Sequence, residues 1–257
     1  MESSRRALLL REMGLGPVWR FRGKDLEPAM LASEQPRKAT WPTGAEIPAQ
    51  VPAQPEVAHL PALAQDDRTA RILRMDWTEL TAAVATCQAC PLAKSRINTV
   101  FGVGDQQADW LIVGEAPGAE EDARGEPFVG QGGRLLDNML ASVGLKRGEN
   151  VYIANVLKCR PPGNRNPNPS EVAQCAPHLQ RQIELIRPKL IIAMGRFAVQ
   201  ALLETDATIA SLRGKLHRYQ GVPLIVSYHP AYLLRSLTEK AKAWEDLCFA
   251  RRTMAGL

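Results

Sequence analysis

Four short apolar runs recur from Trp110 onward, and each breaks off at a glycine or a polar residue. They are Trp110-Leu-Ile-Val113 before Gly114, Val151-Tyr-Ile-Ala154 before Asn155, Lys189 to Met194 before Gly195, and Pro223 to Ser227 leading to His229. Runs of this length suit buried strands. Helical patterns separate them: Gly132 to Val143, with Leu135, Leu136, Met139 and Leu140 at helical spacing; Val172 to Ile186, opened by Pro169-Ser170-Glu171 with Ser170 as N-cap; Phe197 to Leu203; and a last helix over roughly Lys240 to Thr253. Strands alternating with helices imply a parallel sheet covered on both faces. The expected fold class is α/β, a three-layer α/β/α arrangement around a central four-stranded parallel sheet.

In such sheets ligands bind beyond the carboxyl ends of the strands. The first strand ends at Gly114-Glu115-Ala116-Pro117-Gly118, the second at Asn155, and the fourth at Ser227-Tyr228-His229-Pro230. A single Asn or His at a strand end is commonly a turn former. Three polar clusters on one edge of one sheet point to a site.

Cysteines add a second constellation. Cys87 and Cys90 form a Cys-x-x-Cys pair, Cys159 lies in Lys-Cys-Arg-Pro-Pro-Gly-Asn-Arg, and Cys175 follows in Glu-Val-Ala-Gln-Cys-Ala-Pro. Four thiolates from three segments can close a tetrahedral zinc site or hold an iron–sulfur cluster, and spacing alone does not separate the two. Cys248, on a helical pattern, reads as a small buried hydrophobe. Disulfides would need an oxidising compartment. The N-terminal apolar run is broken at once by charge and lacks a cleavage site, and no stretch approaches the roughly 20 apolar residues of a membrane span. A cytoplasmic protein with no membrane partner is expected, and there the Cys-x-x-Cys favours metal.

The 257 residues divide unevenly. Six prolines between Pro36 and Pro61 mark a stiff linker, taken as residues 31–75, ahead of a catalytic-type domain over 76–257. Residues 1–30 carry Leu8, Leu9, Leu10, Met13, Leu15 and Trp19, which suit either a peptide docking on a protein partner or a helix folding back. The net charge of +5 is compatible with a polyanion. Placement says more: Arg160, Arg165, Arg213, Lys215, His217, Arg218 and Arg235 read as loop residues beside the candidate chemistry.

At these residues the chain resembles the family 4 uracil-DNA glycosylases, the iron–sulfur branch of that superfamily. The matching segments are Cys87-x-x-Cys90-Pro, Gly114-Glu-Ala-Pro-Gly-Ala-Glu-Glu-Asp122, Gly125-Glu-Pro-Phe-Val-Gly130, Asn155-Val-Leu-Lys-Cys-Arg-Pro-Pro162, Cys175 and His229-Pro-Ala-Tyr-Leu-Leu-Arg235. They occur in the family's order and cover roughly Leu80 to the C-terminus.

The resemblance implies a [4Fe–4S] cluster on Cys87, Cys90, Cys159 and Cys175, a structural clamp near the DNA face. It implies a base pocket of Gly114, Glu115, Ala116, Phe128, Asn155 and His229. Phe128 would stack on the flipped base, where core packing is the plainer alternative. Asn155 would read the uracil edge, and His229 would donate to O2 as negative charge builds there. Glu115 would position water or stabilise the sugar cation, with Glu121 second, although N-capping accounts for Glu121 and Asp122 equally well. Tyr232, Leu233 and Leu234 would wedge into the minor groove, and Arg160, Arg165 and Arg235, with Lys158, would hold phosphates. The implied activity is that of a monomeric, monofunctional uracil-DNA glycosylase, which flips deoxyuridine out of DNA and leaves an abasic site in base excision repair. The alternative is a non-catalytic iron–sulfur module of the same fold that binds DNA or a polymerase. The intact trio of Phe128, Asn155 and His229 distinguishes the two, because a binding module does not require it.

Overall fold

The computed structural model describes residues 62–257, with side chains from residue 67. The proposed docking peptide 1–30 and most of the linker lie outside the described residues. Helix α1 (Ala62–Ile72) falls within the last part of the stretch 31–75 assigned to linker. That part carries no proline after Pro61, and Arg68 ties it to the body by donating to the Gln174 carbonyl at 3.0 Å.

Helix α2 (Trp77–Ala85) starts at a capping box between Asp76 and Glu79. The sheet then forms from β1 (Val103–Gly104), β2 (Trp110–Gly114), β3 (Val151–Asn155), β4 (Leu190–Met194), β5 (Leu216–Tyr219) and β6 (Val222–Ser227). Its order is β1-β3-β2-β4-β6-β5, with the inner four strands parallel and both edges antiparallel. The sheet is therefore six-stranded rather than four-stranded. The four apolar runs supply its parallel centre. The missed edges give weak signals: β1 is two residues long, and β5 is half-exposed and charged.

Side chains alternate between two cores, as the period of a strand requires. One face buries Ile112, Ile153, Ile192 and Ile225 against α4 (Gln131–Ser142), α8 (Pro230–Arg235) and α9 (Lys240–Ala255). The other buries Leu111, Tyr152, Ile191 and Leu224 against α5 (Pro169–Ile186) and α6 (Arg196–Leu203). This is the expected three-layer arrangement. The N-cap of α5 is Asn168 rather than Ser170, because Glu171 reaches back to accept from the Asn168 amide at 2.9 Å. Two short helices complete the body, α3 (Ala119–Arg124) and α7 (Ile209–Leu212).

The chain moves from β2 outward to β3, then crosses back over β2 to β4. The carboxyl ends of β2 and β4 thus flank a topological switch point, where a crevice opens.

Candidate active site

A cleft of about 710 Å³ lies at that edge. Of the residues expected to form the base pocket, Glu115, Ala116, Phe128, Asn155 and His229 line it; Gly114 does not line it but packs against Asn155 and Phe128. A Cβ on Gly114 would lie 2.4 Å from Asn155 Oδ1 and 2.5 Å from Phe128 Cζ, so only glycine lets these two side chains meet at the strand end. Asn155 is buried, and its Oδ1 has no hydrogen-bond partner. A buried acceptor left open is costly, so it points to a donor on a ligand.

Phe128 and His229 lie stacked, their centroids 5.3 Å apart and their planes 25° apart. His229 caps α8, where its Nδ1 accepts from the Ala231 amide at 3.2 Å. The neutral ring therefore carries its proton on Nε2. Burial holds the His229 pKa down to about 4; Glu121 opposes this and Arg235 adds to it. The imidazole is thus a neutral donor at ordinary pH.

Phe128 has φ 55°, a left-handed conformation that costs a non-glycine residue roughly 1–2 kcal/mol. Its neighbours explain how it is kept. Glu121 Oε1 accepts from the amides of Val129 and Gly130, each at 3.0 Å, while Oε2 accepts from Gly118 at 3.1 Å. Glu121 is therefore committed to the main chain, and Asp122 is buried, accepting from Ile97 at 2.9 Å. Glu121 still lines the cleft, whereas Asp122 does not. Glu115 differs: burial raises its pKa to about 7, with Arg196 opposing.

Some expected phosphate contacts need correction. Lys158 is buried, and its ammonium donates to the Asn155 carbonyl at 2.8 Å and to Gln182 Oε1 at 2.6 Å. It cannot reach solvent. Leu233 is 1% exposed and packs in the core below α8, whereas Tyr232 and Leu234 on the same helix are each 38% exposed. Successive helical residues turn about 100° apart, so three in a row cannot all face DNA. Arg213 pairs with buried Asp246 at 2.9 Å, and Leu216 to Tyr219 form edge strand β5 rather than a loop. Arg165 and Arg235 line the cleft, with Arg165 also forming a two-pronged pair with Glu171. Arg160 donates to Asn164 Oδ1 at 2.7 Å in the loop after Cys159.

The sequence reading missed Arg196 and Phe197 and gave no role to Tyr228 of the fourth strand-end cluster; all three line the cleft. The signal was available for Arg196. It follows Gly195 at the end of β4, and a parallel strand beside β2 must end on the same edge.

Behind the cleft, Cys87, Cys90, Cys159 and Cys175 ring one small cavity with Arg96 and His178. Nitrogen donors already point at the sulfurs: Arg68 Nη2 at Cys87, 3.7 Å; Arg96 Nη1 at Cys159, 3.2 Å; and the Lys158 amide at Cys175, 3.3 Å. Burial pushes the Cys175 thiol up to about 12 and raises Cys90 and Cys159 as well. Such a setting suits thiolates neutralised by a bound group. Among the described residues, no group of three or more His, Cys, Asp and Glu side chains is placed to hold a single metal ion. No helix among them is long and apolar enough to cross a membrane.

Residues 101–248 match the model of the uracil DNA glycosylase superfamily. The chain is similar to the type-4 uracil-DNA glycosylase of Archaeoglobus fulgidus, 47% identical over 164 residues that cover 61% of this chain and 82% of that protein. It is similar to that of Pyrobaculum aerophilum, 43% identical over 183 residues, 67% of this chain and 92% of that protein. The Thermotoga maritima type-4 enzyme is 43% identical over 161 residues, 62% of this chain and 83% of that protein.

Proposed function

The chain belongs to the uracil-DNA glycosylase superfamily, and from that premise we propose that it excises uracil from DNA by hydrolysing the N-glycosidic bond of a flipped deoxyuridine. The observation that carries this reading is the open, buried Oδ1 of Asn155 beside the Phe128 ring. Uracil offers N3–H to that oxygen and O4 to the amide NH₂. Cytosine presents the opposite pattern and would leave both groups unpaired, so a fixed amide rejects it.

The flipped base, extruded at a cost of a few kcal/mol, stacks on Phe128. As the bond from N1 to C1′ lengthens, charge moves onto O2, and His229 Nε2–H stabilises it without changing its own protonation. Glu115, at the end of β2, serves the sugar side: as a carboxylate it stabilises the developing cation or orients the attacking water. Tyr232 and Leu234 fill the vacated stack, and Arg160, Arg165 and Arg235 meet phosphates. The reading assigns the activity to base excision repair, in a cytoplasmic protein acting as a monomer.

The four cysteines would hold a [4Fe–4S] cluster, a reading that their placement around one cavity supports. When bound it would supply a cross-link among three segments, since this hydrolysis transfers no electrons.

The test is a labelled oligonucleotide with one deoxyuridine, incubated with protein and then cleaved at abasic sites with alkali. Cleavage by wild type but little by Asn155→Ala or His229→Ala is expected. Intact single-stranded, U:G and U:A substrates with cluster-replete wild type would overturn the reading.

A further inference from the structure

Arg147 lies outside the cleft, in the connection from α4 to β3, and none of the chemistry above uses it. Its guanidinium donates through Nη1 to the Pro127 carbonyl at 2.9 Å and through Nη2 to the Phe128 carbonyl at 2.8 Å. Nε donates to Asp137 Oδ1 on α4 at 2.9 Å. Successive carbonyls face opposite ways along an extended chain and the same way in a helical turn of either hand. At Phe128, where φ is left-handed, two neighbouring carbonyls share one fork.

The turn is gripped from both sides. Glu121 takes the next two amides, and Arg147 takes the two preceding carbonyls. Gly133 closes against it, where a Cβ would fall 1.7 Å from the Phe128 carbonyl oxygen. Without the fork, the Pro127 and Phe128 carbonyls lose the side-chain donors that hold them, and relaxation of Phe128 to negative φ would swing its ring off Gly114 and His229.

We propose that Arg147 is a positioning residue for base stacking, holding the Phe128 ring at the pocket from outside the cleft. This rests on the reading that Phe128 stacks on the flipped uracil. A rigid planar fork fixes the direction of two carbonyls at once, whereas the rotatable donors of a lysine ammonium on its flexible stem hold them less firmly.

The experiment compares wild type, Arg147→Met and Arg147→Lys by inhibition of excision with free uracil and by affinity for an abasic duplex. Stacking on Phe128 contributes to uracil binding but not to abasic DNA binding. The inhibition constant for uracil should rise about tenfold in Arg147→Met, less in Arg147→Lys, with abasic affinity unchanged. In a Phe128→Ala background, Arg147→Met should add nothing further. An unchanged inhibition constant, or the full added loss in the Phe128→Ala background, overturns the assignment. Should Arg147→Met not fold, Asp137→Ala, which frees only the Nε end, should give a smaller rise, and no rise there is equally fatal. A wild type that neither excises nor binds uracil sinks the glycosylase reading instead.

Discussion

The ammonium of Lys158 donates to the main-chain carbonyl of Asn155 at 2.8 Å, in a site closed to solvent. The residue proposed to read the base is therefore braced by a neighbour whose own amide bonds the Cys175 sulfur. This joins the cysteine cavity to the pocket through one residue. Replacing Lys158 by Met leaves the Asn155 carbonyl and Gln182 Oε1 without their donor, so it should cost about 2–4 kcal/mol in denaturant unfolding. Because Lys158 touches no phosphate, the salt dependence of DNA binding should keep its slope. A shallower slope would restore Lys158 to the DNA face.

Gly114→Ala tests the close approach of Asn155 and Phe128. No left-handed φ is needed at Gly114, so the backbone accepts alanine, and the effect is steric. The new methyl group displaces Asn155 Oδ1 and the Phe128 ring together. Excision should fall about a hundredfold, as a displacement of about 1 Å can bring, while the melting temperature moves little. Excision at the wild-type rate would mean that the two side chains do not work in this arrangement.

The architecture was legible where burial forces a pattern. Strands covered on both faces must be apolar along their length, and β2, β3, β4 and β6 are, except at their carboxyl ends, where β3 closes on Asn155 and β6 on Ser227. Edge strand β5 alternates exposed and half-buried residues, so His217 and Arg218 read as a basic loop. In the site, Glu115, Asn155 and His229 were visible because they stand at strand ends. Lys158 and Leu233 were misplaced because they neighbour candidate site residues in sequence, whereas their side chains turn inward. The grip on Phe128 by Glu121 and Arg147 was not legible, since a hydrogen bond across 19 residues leaves no local signal.

On α8 the exposed and buried leucines separate two roles. Leu233→Ala empties core volume and should destabilise the protein by about 2–4 kcal/mol. Leu234→Ala and Tyr232→Ala should stay within about 0.5 kcal/mol of wild type. Those two should instead slow excision from duplex more than from single-stranded DNA, because only the duplex needs its vacated stack filled. Equal slowing on both substrates would remove the wedge role.

Glu115 and His229 titrate in opposite senses, which fixes the pH behaviour. Burial, against the pull of Arg196, raises Glu115 from 4.5 to about 7; burial lowers His229 from 6.5 to about 4. Between those values the folded protein holds more protons than the unfolded chain at Glu115 and fewer at His229. The first effect lowers stability as pH rises through its window; the second lowers it as pH falls from 6.5. The two partly cancel, so stability is a poor reporter, and turnover is the better one. His229 stays neutral throughout and adds no limb near neutrality. If the Glu115 carboxylate serves the sugar cation or the water, kcat should rise with pH to a plateau, with a midpoint at about 7. Glu115→Gln should lower kcat and flatten the profile, and its stability should climb more clearly with pH once the opposing carboxyl is gone. A rising limb that survives in Glu115→Gln would place the titrating group elsewhere in the cleft.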